Sequence, residues 1–353
     1  MPESYFQLPP DVRREALEVA AQHLGRPTVI VEKDIHVVWA LSALERAPFG
    51  HHVVFKGGTS LSKAYALIDR FSEDVDLTYD LRALAPDLVA TGTADGWPRS
   101  RTQADRWSAA LRERLGTWVT TACAEHFGTI ARDDGVPIIT DTVVDATRHQ
   151  YDILLRYEPV SAQRIDYVVP SVKLEFGARG TGEPNRQFAI TTDASMTPAL
   201  AAIVFPQANV TTLEAERTFW EKATATHAYC VRASFRGAHG FARHWYDLAR
   251  MHASPVGAAA IRDRALARAV ARWKGLFVRE RGVDYASAVE GHLQVVPRGD
   301  ALHALQDDYV HMREAGLMLA DAPSFDAVLA SCADLEVAAN DAASQRPRPE
   351  ATG

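Results

Sequence analysis

The sequence predicts an α+β fold: a mixed sheet with helices before it and a long helical region after it. Three observations carry this. Residues 53–78 read as strand, glycine turn, helix and strand. The segments YDILLRYEPV, RIDYVVPSVKLEFGARG and RQFAITT alternate as half-buried strands do. From Thr211 helical periodicity runs to about residue 335. At 353 residues the chain is long for one domain. The expected division is 1–50 as N-terminal helices packing on the core, 51–210 as the α/β core, 211–335 as a basic helical domain and 336–353 as a disordered tail.

The elements follow in order. Residues 11–24 and 32–46 have helical spacing, the second placing Ile35, Val38, Trp39 and Ser42 on one face. HHVVFKGG is a short strand running into a turn at Gly57 and Gly58, Ser60 to Ile68 returns to helix, and Asp74 to Thr78 is a strand. Arg82 to Arg101 is rich in Ala, Pro and Gly without period and reads as a loop or insertion. A helix is expected over Asp105 to His126. After the three strand candidates, TTLE at 211–214 offers a capping box that opens the helical region. The polar, Pro-rich end NDAASQRPRPEATG is expected to be disordered.

Composition narrows the class of protein. A hydrophobic fraction of 47% and a charged fraction of 24% are ordinary for a soluble globular chain. The first residues lack the basic and apolar regions of a signal peptide, and no apolar run is long enough to span a bilayer, so a cytoplasmic protein without a membrane partner is expected. Cys123, Cys230 and Cys332 are widely scattered, which excludes a zinc knuckle or a C-x-x-C redox motif and predicts plain buried thiols. The net charge of −7 hides an asymmetry: Arg217 to Arg281 holds thirteen Lys or Arg against four acids. Such a block fits solvated helix faces and also fits a polyanionic substrate.

The chemistry-bearing residues lie between the strands. Asp74 and Asp76, two apart on a strand, project to one face while Val75 and Leu77 face the core. Two carboxylates so placed fit a divalent cation, and they also fit solvated acids at a sheet edge. Gly57 and Gly58 let backbone approach a ligand and open a helix whose N–H groups suit a phosphate, with Thr59, Ser60 and Ser62 as hydroxyls and Lys56 and Lys63 as charges nearby. A GG turn is also found where only a turn is needed. Glu175 sits in an apolar strand, with Val172, Leu174 and Phe176 inward. It is costly to desolvate unless metal-bound or paired, and Lys173 is a ready surface partner.

Taken together, VEKDIHVVWAL, FKGGTSLSKAY, RFSEDVDL, the LEAERTFWEK segment at Leu213 to Lys222 and RHWYDLARM at Arg243 to Met251 resemble one family. Strand, GG, helix, D-x-D on a strand and a later lone acid form the pattern of the DNA polymerase β-like nucleotidyltransferases. More narrowly the chain resembles the AbiEii/AbiGii toxin family, which includes the MenT toxins, over about residues 30 to 251. The 15 residues between Gly58 and Asp74 are at the long end of the superfamily spacing. The regions Arg82 to Arg101 and beyond about residue 255 match nothing in the family.

The resemblance implies a polymerase β-like core and a magnesium- (or manganese-) dependent transfer from a nucleoside triphosphate. Gly57, Gly58 and Ser60 would bind the nucleotide phosphates, with Lys56, Thr59 and Lys63 beside them, and Asp74 and Asp76 would hold the metal. Lys222 and Asp247 match a lysine and an aspartate that the family also requires, the helical domain thereby completing the active site. Glu175 is the candidate base, and Ser72 matches a serine phosphorylated in some relatives. The implied acceptor is the 3′ end of a transfer RNA, contacted by Arg232, Arg236 and Arg243, so that translation is blocked. No DNA partner is expected, and an antitoxin from a neighbouring gene is the implied regulator. Two rivals remain open: NTP-dependent modification of a protein serine or threonine, and a nucleotide-binding growth inhibitor that acts without turnover.

Overall fold

In the computed structural model, which describes residues 3–72, 74–145, 150–165, 168–232, 235, 237, 240–319 and 321–345, the chain divides into two units. Met1–Ala66 with Arg70–Leu213 form the first, and Leu67–Asp69 with Glu214–Gly353 the second.

The first unit opens with a two-residue strand, β1 (Glu3–Ser4), followed by α1 (Pro10–Leu24) and α2 (Thr28–Glu45). Pro10 occupies the first turn of α1, where its missing N–H removes no bond, and Gly25 closes the helix in the left-handed conformation at φ 62°. The one-faced helix expected over 32–46 is instead buried on nearly every side, with Glu32, Lys33, Asp34 and His36 inside. Its polar groups therefore need internal partners. Glu32 accepts from the Val160 and Ser161 amides at 2.7 and 3.2 Å. Lys33 donates to the Val169 carbonyl at 3.1 Å, and His36 Nδ1 to the Glu32 carbonyl at 2.9 Å.

Next come β2 (Val53–Lys56), α3 (Gly57–Lys63) and β3 (Asp74–Tyr79). Within the stretch expected to be a loop lie two short helices, α4 (Leu81–Leu84) and α5 (Pro86–Ala90). Asp80 caps the first through the Arg82 amide at 2.8 Å, and Pro86 starts the second. The expected helix is longer at both ends: α6 (Arg101–Trp118) passes through one π turn at Val119–Cys123 into α7 (Ala124–Asp134). The remaining strands are β4 (Ile138–Asp145), β5 (Gln150–Tyr157), β6 (Ser171–Gly177), β7 (Asn185–Thr191), β8 (Ile203–Val204), which pairs with β1, and β9 (Gln207–Leu213).

Seven strands form a mixed sheet in the order β4-β5-β6-β3-β2-β9-β7, parallel at β3–β6 and β2–β9 and otherwise antiparallel. One face is the core. Phe55, Leu77 and Phe176 share a cross-strand row there, in one cluster with Val38 and Leu41 of α2 and Leu115 and Phe127 of α6 and α7. Trp118 meets the Phe176 ring edge-on at 5.3 Å. Each such buried side chain contributes about 1.5–3 kcal/mol over an exposed one. With one face committed to the core, alternate residues of β3, β5 and β6 must turn to the other.

The second unit is helical: α8 (Ala215–Val231), α9 (Ala242–His252), α10 (Pro255–Arg262), α11 (Arg264–Phe277), α12 (Tyr285–Ser287), α13 (Asp300–Glu314) and α14 (Phe325–Ser344). Thr211 and Thr212 of the expected capping box lie in β9, and Glu214 precedes α8 without a side-chain cap. Two indoles pin the unit: Trp220 Nε1 donates to the Ala260 carbonyl and Trp245 Nε1 to the Val295 carbonyl, each at 2.8 Å.

The tail expected from residue 336 is helical as far as Ser344, and residues 346–353 lie outside the described part. The polar composition misleads because those groups bind backbone. Glu336 Oε2 accepts from the Val295 and Val296 amides at 2.7 and 3.3 Å, and Asn340 brackets Leu293 through its amide N–H and carbonyl. Among the described residues no helix is long and apolar enough to cross a membrane. The three cysteines are free thiols, Cys123 and Cys332 buried and Cys230 half-buried.

Candidate active site

The glycine turn is built around Asp76 of β3 and around Arg70 and Ser72, which precede that strand. Gly57 has φ 76°, and a Cβ there would come 1.9 Å from Asp76 Oδ2. At Gly58 a Cβ would meet Arg70 Nη2 at 2.6 Å and Ser72 Oγ at 2.8 Å, so those side chains would have to shift. Gly57 is required both by close approach and by backbone conformation. Thr59 Oγ1 donates to the Asp74 carbonyl and lies 3.0 Å from Ser72 Oγ, whose hydroxyl can donate to it, while Ser60 Oγ donates to the Gly57 carbonyl at 2.9 Å. Thr59 and Ser60 are fully buried, so their hydroxyls hold the turn in shape. Arg70, buried and absent from the sequence reading, carries the guanidinium against Gly58. Its signal was the RFS preceding the aspartates.

Lys63, expected beside the phosphates, has a different task. Its Nζ lies 2.6 Å from Asp34 Oδ1 and 2.8 Å from Asp193 Oδ1, well inside the unit. Burial works against its charge, but the carboxylates, Asp34 first, outweigh that and raise the ammonium pKa. The ion cluster ties the end of α3 to α2, because α3 has only seven residues and a helix of two turns is not stable by itself.

Asp74 and Asp76 project from β3 on the face opposite the core, as alternation requires. Strand register sets their neighbours. Lys56, Asp76, Glu175 and Asp152 stand opposite one another in a row across β2, β3, β6 and β5, and Asp74 pairs with Lys173 in the next row. Lys173 does reach Glu175, as the surface-pair reading allowed, and its Nζ is also 3.1 Å from Asp152 Oδ2. Burial opposes this charge too, but Glu175 and then Asp152 hold the ammonium protonated above the usual lysine range. Asp152 was missed by the sequence reading. An acid inside YDILLRY was the available signal, of the kind used for Glu175.

Among the described residues no group of three or more His, Cys, Asp or Glu side chains is arranged to hold a metal. The donors at Asp74 and Asp76 nevertheless fit magnesium, which favours oxygen ligands and commonly takes one or two carboxylates and fills its shell with water and substrate phosphate. The missing Cβ of Gly57 leaves the Asp76 carboxylate seated against open backbone, where a phosphate can approach.

In the second unit, Lys222 on α8 and Asp247 on α9 form an ion pair at 2.8 Å, with side chains 12% and 0% exposed. α9 is buried around most of its circumference, with Trp245, Tyr246, Leu248 and Met251 inside, and Asp247 is buried among them. The basic block is partly neutralised: Arg217 pairs with Glu221 at 3.0 Å, Arg232 with Glu280, Arg250 with Asp69 at 2.7 Å and Arg268 with Glu290 at 3.4 Å. Arg232 is thus occupied rather than poised for a backbone phosphate, Arg243 is half-buried on α9, and Arg236 lies outside the described residues. Arg262, Arg268, Arg272, Arg279 and Arg281 are the exposed arginines of the block among the described residues.

A family model described as nucleotidyl transferase AbiEii toxin, type IV toxin–antitoxin system, matches residues 39–331. Among solved structures the chain is similar to MenT4, a nucleotidyltransferase toxin from Mycobacterium tuberculosis H37Rv. That likeness has 16% identity and a TM-score of 0.46, covering 93% of this chain and 88% of that one. No curated protein matches.

Proposed function

The chain belongs to the AbiEii family of nucleotidyltransferase toxins of type IV toxin–antitoxin systems, and on that premise we propose that it transfers a nucleotide from an NTP to the 3′ end of a transfer RNA and so stops translation. Family membership implies an antitoxin partner, which we expect to be encoded by a neighbouring gene. The observation that carries the proposal is the seating of the Asp76 carboxylate against the backbone of Gly57, with Asp74 on the same face.

The residues then divide the work. Gly57 and Gly58 keep the turn free of side chains so that its backbone reaches the triphosphate. Asp74 and Asp76 would hold magnesium or manganese, which when bound offsets the charge that builds on the leaving pyrophosphate. Lys56, opposite Asp76, adds positive charge at the same edge. In the second unit the buried Asp247 fixes the direction of the Lys222 ammonium, and the family resemblance assigns that lysine to the transfer. The O3′–Pα bond forms as the bond from Pα to pyrophosphate breaks, and the proton of the 3′-hydroxyl passes to solvent water. Glu175 is assigned to its ion pair rather than to proton transfer, because its oxygen is already bound by Lys173. For RNA contact the exposed Arg262, Arg272 and Arg281 are better suited than Arg232, which is held by Glu280.

The test is incubation with each labelled NTP, magnesium and total RNA. Label on transfer RNA is expected with at least one nucleotide, and its absence with all four refutes the acceptor. Label on protein instead would move the acceptor to a protein hydroxyl, Ser72 beside Gly58 being the first to examine. Growth arrest that survives Asp74→Ala and Lys222→Ala would show action without turnover.

A further inference from the structure

The ion cluster on Lys63 takes no part in the transfer described above, yet each of its charges is placed. Lys63 Nζ lies 2.6 Å from Asp34 Oδ1 and 2.8 Å from Asp193 Oδ1. Asp34 Oδ2 accepts from the Asp193 amide at 2.7 Å, and Asp193 Oδ2 lies 3.5 Å from Arg26 Nη1. Every carboxylate oxygen of the cluster thus has a partner, and two acids meet two cations. The Lys63 and Asp34 side chains are 11% and 6% exposed. Asp34 is also held by its neighbours on α2: Glu32 binds the Val160 and Ser161 amides and Lys33 the Val169 carbonyl, all from buried positions.

Stability alone does not account for such a cluster, because a buried ion pair replaced by apolar side chains of similar volume is often as stable or more so. What paired charges add is a fixed place and direction. α3 is pinned near both ends: Thr59 donates to the Asp74 carbonyl, and Lys63, the last residue, reaches α2 and Asp193. The two contacts stand about 6 Å apart along the helix and together set its tilt. At Gly57 there is little tolerance for tilt, since a Cβ would come 1.9 Å from Asp76 Oδ2. We propose that Asp34 and Asp193, acting through Lys63, are positioning residues for the nucleotide, holding α3 where Gly57 and Gly58 stay open to the triphosphate beside Asp76. The inference rests on the reading of those glycines as the triphosphate contact given above.

Equilibrium dialysis of the full chain with labelled ATP, GTP, CTP and UTP, each with magnesium, tests it without reference to turnover. Lys63→Met/Asp34→Asn removes one charge of each sign, nearly keeps both volumes and leaves Asp193 to Arg26. Its urea midpoint is expected to match the wild type. Its affinity for the NTP that the wild type binds is expected to fall about tenfold, the equivalent of one hydrogen bond to a charged phosphate. In the transfer assay KM for that NTP rises while kcat is kept. Asp193→Asn keeps the Lys63–Asp34 pair, is expected to show a smaller fall in affinity, and decides the matter if the double variant does not fold. Folded variants that bind NTP as tightly as the wild type would overturn the inference, as would a fall in affinity matched by an equal loss of folded protein in circular dichroism. A wild type that binds no NTP would overturn the reading of the glycines itself, and the inference with it.

Discussion

Replacing Gly57 by alanine separates the two demands made on that position. An L side chain in the left-handed region costs about 1–2 kcal/mol wherever it occurs. Gly135, at φ 68° with nothing within 4 Å of an added Cβ, is the control, because Gly135→Ala carries that strain alone. At Gly57, φ 76°, the new methyl would lie 1.9 Å from Asp76 Oδ2. Ordinary contact starts near 3.4 Å, so the carboxylate must retreat by about 1.5 Å, and displacements of about 1 Å at reacting groups can lower rates about 10²-fold. Both variants should therefore lose at least about 1–2 kcal/mol in urea unfolding. Only Gly57→Ala should also lose about 10²-fold or more in kcat/KM for nucleotide transfer. A Gly57→Ala protein that keeps pace with Gly135→Ala in the transfer assay would refute the idea that this glycine makes room for Asp76.

Lys222→Met removes the counter-charge of a fully buried carboxylate and should cost about 3–5 kcal/mol in thermal or urea unfolding. Lys222→Met/Asp247→Asn should recover much of that stability without recovering growth arrest, and a stable double variant that still arrests growth would remove Lys222 from the mechanism. His36 predicts a pH effect. Burial first, and Arg13 in addition, hold its imidazole down at about 4. The unfolded chain takes up a proton near pH 6.5 that the fold refuses, so stability is complete above that pH and falls as pH drops toward 4. The loss is about 2 kcal/mol between pH 7.5 and 5. His36→Phe keeps a ring against Tyr157, whose centroid is 3.7 Å away, and should flatten this part of the urea-midpoint profile. An unchanged slope would assign the pH dependence to other groups.

Much of the architecture was legible because it depends on local spacing. Alternation in β3 and β6 fixes which residues face the core, and that put Asp74 with Asp76 and Lys173 with Glu175 on one face before any coordinates were known. The GG turn was legible as a turn between a strand and a helix, but only the structure shows the close approach of Asp76 that Gly57 accommodates. Helix limits were less so: α3 stops at Lys63 rather than continuing to Ile68, and α14 runs to Ser344 through residues whose polarity suggested disorder. Glu336 and Asn340 look like solvent-facing residues in sequence, and only the path of 293–296 supplies the amides they bind.

The sequence by itself determined the chemistry of the face: paired carboxylates and a turn without side chains. These follow from residue type and from a period of two, which acts over a few residues, whereas Lys222 and Asp247 were singled out by the family resemblance alone. Only the tertiary structure decided who neutralises whom. Lys63 belongs to Asp34 and Asp193, Lys173 to Asp152 as well as to its near neighbour Glu175, and Arg232 to Glu280. Charge pairing is set by separation and burial, and residues 21 to 130 positions apart in the chain become partners only when strand register and helix packing bring them within a few ångströms.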